Sequence, residues 1–188
     1  TVVAARLDDK PRSPTPSVFA SSIACARTDP SSFLIDRSCR WPRASRLATA
    51  LVQRLPREIR QSVEAVVSPA MGGVICGHEM GRALGVEAMF LERPEGVFEL
   101  RRGFRLNPGQ KVFMMEDVVA TGLSSREAIA AIAGAGGETV AAGALVDRSA
   151  GKADLGVPFF PLLELSIPSY DPDSLPPELA AIPAVKPG

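Results

Sequence analysis

A chain of 188 residues is long enough for one well-filled core with at most a small appendage, so a single domain over 1–188 is expected. Its composition is 46% apolar and 22% charged, and Lys plus Arg equals Asp plus Glu at 21 each. This is ordinary for a globular domain, and it excludes a whole-molecule field that would draw the chain onto nucleic acid or anionic lipid. Cys25, Cys39 and Cys76 form an odd, widely spaced set with no CxxC pair, no apolar run reaches the roughly 18 residues of a membrane span, and the N-terminal stretch lacks the apolar core of an export signal, which together predict a cytoplasmic protein with no membrane partner.

Residues 1–42 carry Pro11, Pro14, Pro16, Pro30 and Pro42 among scattered Ser and Thr, which predicts a small N-terminal region of irregular structure. From Arg43 the pattern changes: Leu47, Leu51, Val52 and Leu55 recur at helical spacing before Pro56, predicting an amphipathic helix. Strands are then predicted at 65–67, 86–91, 112–115 and 140–146, and helices at 74–84 and 124–135. The second of these helices carries an S-x-x-E capping box in Ser124 and Glu127. Strand and helix alternating in this way predict an α/β fold with a parallel central sheet flanked by helices.

Two stretches break the alternation. Residues 92–109, ERPEGVFELRRGFRLNPG, are longer than most connections in a compact domain and predict a functional loop. Residues 169–188 are rich in proline and predict a surface tail. Gly134-Ala-Gly-Gly137 follows a helix and precedes a strand, the reverse of the dinucleotide-binding order, and reads as a helix end.

The segment with the most chemical content is VFMMEDVVATGLSS at 112–125, an apolar strand ending in two carboxylates, a loop of small residues, then a helix. Ligands collect beyond the carboxyl ends of strands in open α/β sheets, and the first turn of a helix offers unpaired N–H groups and a positive dipole end, so a phosphate suits this loop. Thr121 and Ser124 add hydroxyl donors there, and Gly122 lets the backbone approach an anion without a Cβ in the way. Glu116 and Asp117 would repel a phosphate; they suit sugar hydroxyls, a magnesium ion or positive charge on a ribose ring. The plainer alternative is a capped helix after a strand whose acids are merely solvated.

Rival chemistries find no support. His78-Glu79 opens like the zinc motif H-E-x-x-H, but Arg82 stands at its fifth position and the chain has 1 histidine. That histidine would also have to serve as the base of any serine or cysteine hydrolase. No G-x-x-x-x-G-K loop is present.

Three segments in order resemble type I phosphoribosyltransferases, and within them the orotate branch: SPAMGGVI at 68–75 is similar to the pyrophosphate loop, 112–125 to the ribose-phosphate signature, and LVDRS at 145–149 to a strand-ending LVDR. The resemblance covers roughly 65–169 and implies that family's fold with a small N-terminal hood region. It implies magnesium-dependent transfer of ribose 5-phosphate from phosphoribosyl pyrophosphate to orotate, giving orotidine monophosphate and pyrophosphate, within pyrimidine biosynthesis.

Carried onto these positions, Glu116 and Asp117 would hold the ribose hydroxyls, and Val118, Val119, Ala120, Thr121, Gly122, Leu123 and Ser124 would wrap the ribose phosphate. Ala70, Met71 and Gly72 would face pyrophosphate, and Arg148 would pair its planar guanidinium with the orotate carboxylate. The family's mobile loop corresponds here to 92–103, so Arg93, Arg101 and Arg102 would bring cations to the pyrophosphate of a neighbouring subunit in a homodimer with shared sites. Asp117, Glu116, Arg101 and Arg102 are the expected catalytic residues, with magnesium held through pyrophosphate and ribose rather than by a protein metal site.

The chain departs from the family in three places. The hood begins with Glu92-Arg93 in place of an Arg-Lys pair and contains no lysine; Ala120 stands where threonine is usual; and residues 21–32 lack the Ser-Gly-x-His-Ser-like stretch. The alternatives to the orotate reading are a phosphoribosyltransferase for another base and a non-catalytic phosphoribosyl pyrophosphate sensor; zero net charge and the lack of a helix-turn-helix weigh against the sensor.

Overall fold

The structure is a computed structural model that describes residues 42–165, together with residues 2–3, 169–170 and 177. In chain order the elements are β1 (Val2–Val3), α1 (Arg43–Arg54), α2 (Arg57–Ser62), β2 (Ala65–Pro69), α3 (Gly73–Leu84), β3 (Glu87–Glu92), β4 (Glu99–Leu100), β5 (Lys111–Val119), α4 (Leu123–Gly134), β6 (Glu138–Asp147), β7 (Phe159–Glu164) and β8 (Ser169–Tyr170). A six-stranded sheet runs in the order β4-β3-β2-β5-β6-β7, parallel throughout except for β4, which pairs antiparallel with β3. The segments β1 and β8 pair antiparallel with each other.

Apolar residues bury both faces of the central strands, so these strands read as continuous apolar runs. Along β5, Val112 and Met114 join Val67, Met89, Leu91, Ala128 and Ile132 in the core under α4, whereas Phe113 and Met115 join Leu51, Leu55, Cys76 and Met80 under α1 and α3. Successive side chains of a strand point to opposite faces, which is why one strand serves two cores. At Gly143 on β6 the core under α1 and α3 leaves no room for a side chain: a Cβ would lie 2.6 Å from the Phe113 ring.

The predicted alternation of strands and helices is found, and the differences have physical causes. The strand predicted at 112–115 runs on to Val119, because each residue from Glu116 to Val119 except Asp117 continues the ladder with β6 and charged side chains do not end a strand whose backbone is paired. The predicted loop contains β4, which folds back on β3 through Leu91–Leu100 and Glu92–Glu99 pairing and makes a hairpin of its first half. Neither α2 nor β7 was expected. The first is only 6 residues long with none buried, and the second contains Pro161, tolerated because β7 is the sheet's edge.

The predicted capping box does not form. Gly122, at φ 75°, is the residue before the helix, so α4 starts one position earlier than expected and Ser124 lies inside its first turn instead of capping it. Glu127 turns outward to Arg93. The predicted helix end at Gly134 is found, with Gly136 at φ 93° turning the chain toward β6. The expectations for the N-terminal region, for Cys25 and Cys39 and for the proline-rich tail fall almost wholly outside the described residues. Cys76 is buried in α3, its thiol donating to the Gly73 carbonyl at 3.2 Å.

Candidate functional site

Because β2, β3, β5, β6 and β7 are parallel, the turns that leave them emerge along one edge of the sheet. That edge gathers 70–72 after β2, the hairpin after β3, 120–122 after β5 and Arg148 after β6, all segments marked out in the sequence. Among the described residues a cis peptide joins Ala70 to Met71.

Glu116 and Asp117 sit near the end of β5, only 6% and 8% exposed. As neighbours on a strand they point to opposite faces. Glu116 lies on the α4 side, where its carboxylate accepts a hydrogen bond from the buried Ser125 hydroxyl. Burial pushes its pKa up; the hydrogen bond from Ser125 opposes this, the charge of Asp117 adds to it, and Ser124 and Arg93 oppose it. Asp117 lies on the α3 side, where its Oδ1 accepts from the Val118 N–H at 2.8 Å. A Cβ on Gly72 would stand 2.5 Å from Asp117 Oδ2, so the loop after β2 presses its backbone directly against this carboxylate.

Between the two acids and α4 runs the small-residue loop. Ala120 and Thr121 are exposed, and the Thr121 hydroxyl accepts from the Leu123 N–H at 3.3 Å. Leu123 is 57% exposed and Ser124 also faces out, so the first turn of α4 opens to solvent with its positive end beside the acids. Across the edge, the Arg148 N–H donates to the Val119 carbonyl at 2.7 Å, fixing the start of the next loop beside the end of β5. The buried Asp147 carboxylate accepts from the Ser149 N–H at 2.7 Å.

The three hood arginines are paired with carboxylates other than the acid pair, although the charge of Arg93 also acts on Glu116. Arg102 contacts Glu92 at 2.6 Å and Arg101 approaches the same carboxylate at 3.8 Å. Arg93 pairs with Glu127 of α4 at 2.5 Å and lies 4.0 Å over the Phe98 ring. A cleft of about 350 Å³ lined by Gly96, Val97, Phe98, Glu127, Ala130 and Ala131 lies between hairpin and α4, and neither Glu116 nor Asp117 lines it.

Sequence reasoning did not single out Glu92 as the acceptor for the hood cations, Ser125 as the donor to Glu116, or Arg126, whose guanidinium reaches the Asp154 carbonyl at 2.9 Å. Ser125 follows Ser124 in the first turn, which was its only signal; Arg126 reads as an ordinary helix-surface cation. Among the described residues no group of three or more His, Cys, Asp and Glu is arranged to hold a metal, and no helix is long and apolar enough to cross a membrane.

Comparison with known proteins places this geometry. The phosphoribosyl transferase domain family matches residues 39–160. The orotate phosphoribosyltransferase of Novosphingobium aromaticivorans is 73% identical over 78% of this chain and 75% of its own length. Among solved structures, an adenine phosphoribosyltransferase aligns with a TM-score of 0.56 at 18% identity over 69% of this chain and 84% of that one. The orotate phosphoribosyltransferase of Aeropyrum pernix aligns at 0.51 and 24% identity over 64% and 71%. These two likenesses show the shared fold, and the high identity carries the branch: the chain belongs to the phosphoribosyl transferase domain family and, within it, to the orotate phosphoribosyltransferases.

Proposed function

We propose that this chain transfers ribose 5-phosphate from phosphoribosyl pyrophosphate to orotate, releasing pyrophosphate, as a step in pyrimidine nucleotide synthesis in the cytoplasm. The observation that carries the site assignment is the contact of Gly72 with the Asp117 carboxylate, which joins the loop after β2 to the acid pair at the mouth of the loop before α4. A pyrophosphate on the 70–72 backbone and a phosphate on 118–124 then lie on either side of a ribose whose hydroxyls meet Asp117 and Glu116.

In the reaction the bond from ribose C1 to pyrophosphate breaks and its electron pair leaves with the pyrophosphate. A ring nitrogen of orotate supplies the pair for the new bond and gives up its proton, which the departing pyrophosphate takes up, and the ribose ring carries positive charge in between. Two fixed carboxylates stabilise that charge, and Arg148 orients the acceptor through its carboxylate. Arg93, Arg101 and Arg102, on leaving Glu127 and Glu92, neutralise the departing pyrophosphate of the partner subunit in a homodimer.

The residues present fit magnesium bound through the substrate. Glu116 and Asp117 offer hard oxygen donors, but they do not form a group of three acidic ligands able to hold the ion without phosphate oxygens. When bound, magnesium supplies charge neutralisation to the pyrophosphate.

The test offers orotate, uracil and adenine separately with phosphoribosyl pyrophosphate and magnesium. Adenine is included because the fold is shared with an adenine enzyme. Orotate is expected to be consumed; orotate left untouched while another base disappears overturns the assignment of the acceptor.

A further inference from the structure

The loop that carries Arg148 leaves β6 and folds on itself before β7. The Ala153 N–H donates to the Ser149 hydroxyl at 2.9 Å, the Gly156 N–H to Asp154 Oδ1 at 2.9 Å, and Leu155 is buried in the core under α4. On its way back the loop crosses the ribose-phosphate loop at Gly122. A Cβ there would lie 2.8 Å from Leu155 Cδ2, 3.4 Å from Ala153 Cβ and 3.1 Å from Arg126 Nη1, so the two loops touch where Gly122 has no side chain.

One guanidinium spans this junction. Arg126 Nη1 donates to the Asp154 carbonyl at 2.9 Å and lies 3.5 Å from the Thr121 carbonyl. Arg126 is exposed on the first turn of α4 and fills no core space, so its contacts act on the relative position of two loops more than on the fold. Both acceptors are backbone carbonyls, so what the side chain fixes is main-chain position.

We infer that Arg126 is a positioning residue that couples the two substrate loops: occupation of 118–124 by the ribose phosphate sets the loop 148–156, and with it Arg148, for the acceptor. The inference rests on the assignment of these loops under the proposed function. It assigns Arg126 no contact with either substrate.

The test is amide hydrogen exchange with phosphoribosyl pyrophosphate and magnesium, read together with steady-state kinetics. In the wild-type protein the ligand slows exchange in both 118–124 and 148–156. In Arg126→Ala the first segment remains protected and the second loses its response, and KM for orotate rises roughly ten- to a hundredfold while kcat changes less, because a displaced Arg148 holds the acceptor more weakly. Arg126→Lys, which keeps a donor within reach of one carbonyl, recovers part of both effects. If Arg126→Ala does not fold, Arg126→Met retains the stem and carries the same comparison.

Equal responses of 148–156 in wild type and variant, with KM unchanged, overturn the coupling alone. No protection of 118–124 in the wild type overturns the assigned donor site and the coupling with it.

Discussion

The acid pair at the end of β5 and the hairpin after β3 hold their charges in opposite ways. Glu116 and Asp117 are buried, and hydrogen bonds from Ser125 and the Val118 backbone fix them. Arg101 and Arg102 are at least half exposed, and their partner is the carboxylate of Glu92; Arg93, 37% exposed, is held by Glu127 and Phe98. Exposed ion pairs are worth about 0–1 kcal/mol, and a cation over an aromatic face adds about as much, so a multiply charged pyrophosphate can draw these arginines away at little cost. A buried, hydrogen-bonded carboxylate gives up more when moved, of order 1–3 kcal/mol per unsatisfied group. Under the proposed function, one region is preorganised for charge that develops in the reaction, and the other is exchangeable, its cations available to an arriving anion.

The largest effect that separates the two is expected at Asp117. Asp117→Asn keeps the volume and an acceptor for the Val118 N–H but removes the charge, so turnover should fall on the order of ten- to a thousandfold while the thermal midpoint stays nearly unchanged. Wild-type turnover in this variant would remove Asp117 from the chemistry.

The hairpin should respond more mildly and across subunits. Arg101→Ala with Arg102→Ala deletes two exchangeable cations, for which a roughly tenfold loss of kcat/KM is expected. Mixing that variant with Asp117→Asn should restore part of the activity, because a mixed dimer contains one site with both an intact acid pair and an intact hairpin. A mixture no more active than its components would show that each chain closes its own hairpin over its own site.

What the sequence disclosed follows the same division. The strand, the two acids, the small loop and the helix were legible because their order is dictated by local chemistry: apolar alternation, charge at a strand end, glycine before a helix. The hairpin was not, since β4 is 2 residues long and exists only through its pairing with β3. The mispredicted capping box at Ser124 is instructive. Serine and glutamate three apart are compatible with a cap, but Gly122 at φ 75° and the pull of Arg93 on Glu127 decide otherwise, and both are set by contacts from elsewhere in the chain. Arg126 was invisible for a related reason, since its acceptors are carbonyls 5 and 28 positions away whose approach no spacing rule describes.

The smallest predicted effect concerns the cost of keeping Glu116 ready. Burial raises its pKa above the ordinary 4.5, against the hydrogen bonds from Ser125 and Ser124 and the charge of Arg93, so the folded chain binds this proton more tightly than the unfolded chain does. Stability from this group is therefore fully present below pH 4.5 and is lost as pH rises through the raised value. Glu116→Gln removes the ionisation but keeps an oxygen to accept from Ser125, so the variant should lack that decline. Its advantage over wild type should open above pH 4.5 and level off once the pH has passed the raised value, read as a diverging thermal midpoint, while turnover falls because a neutral amide cannot offset charge on the ribose. Parallel midpoints across the pH range would mean that burial imposes no such cost on Glu116, and the contrast between a preorganised edge and an exchangeable hairpin would then rest on Asp117 alone.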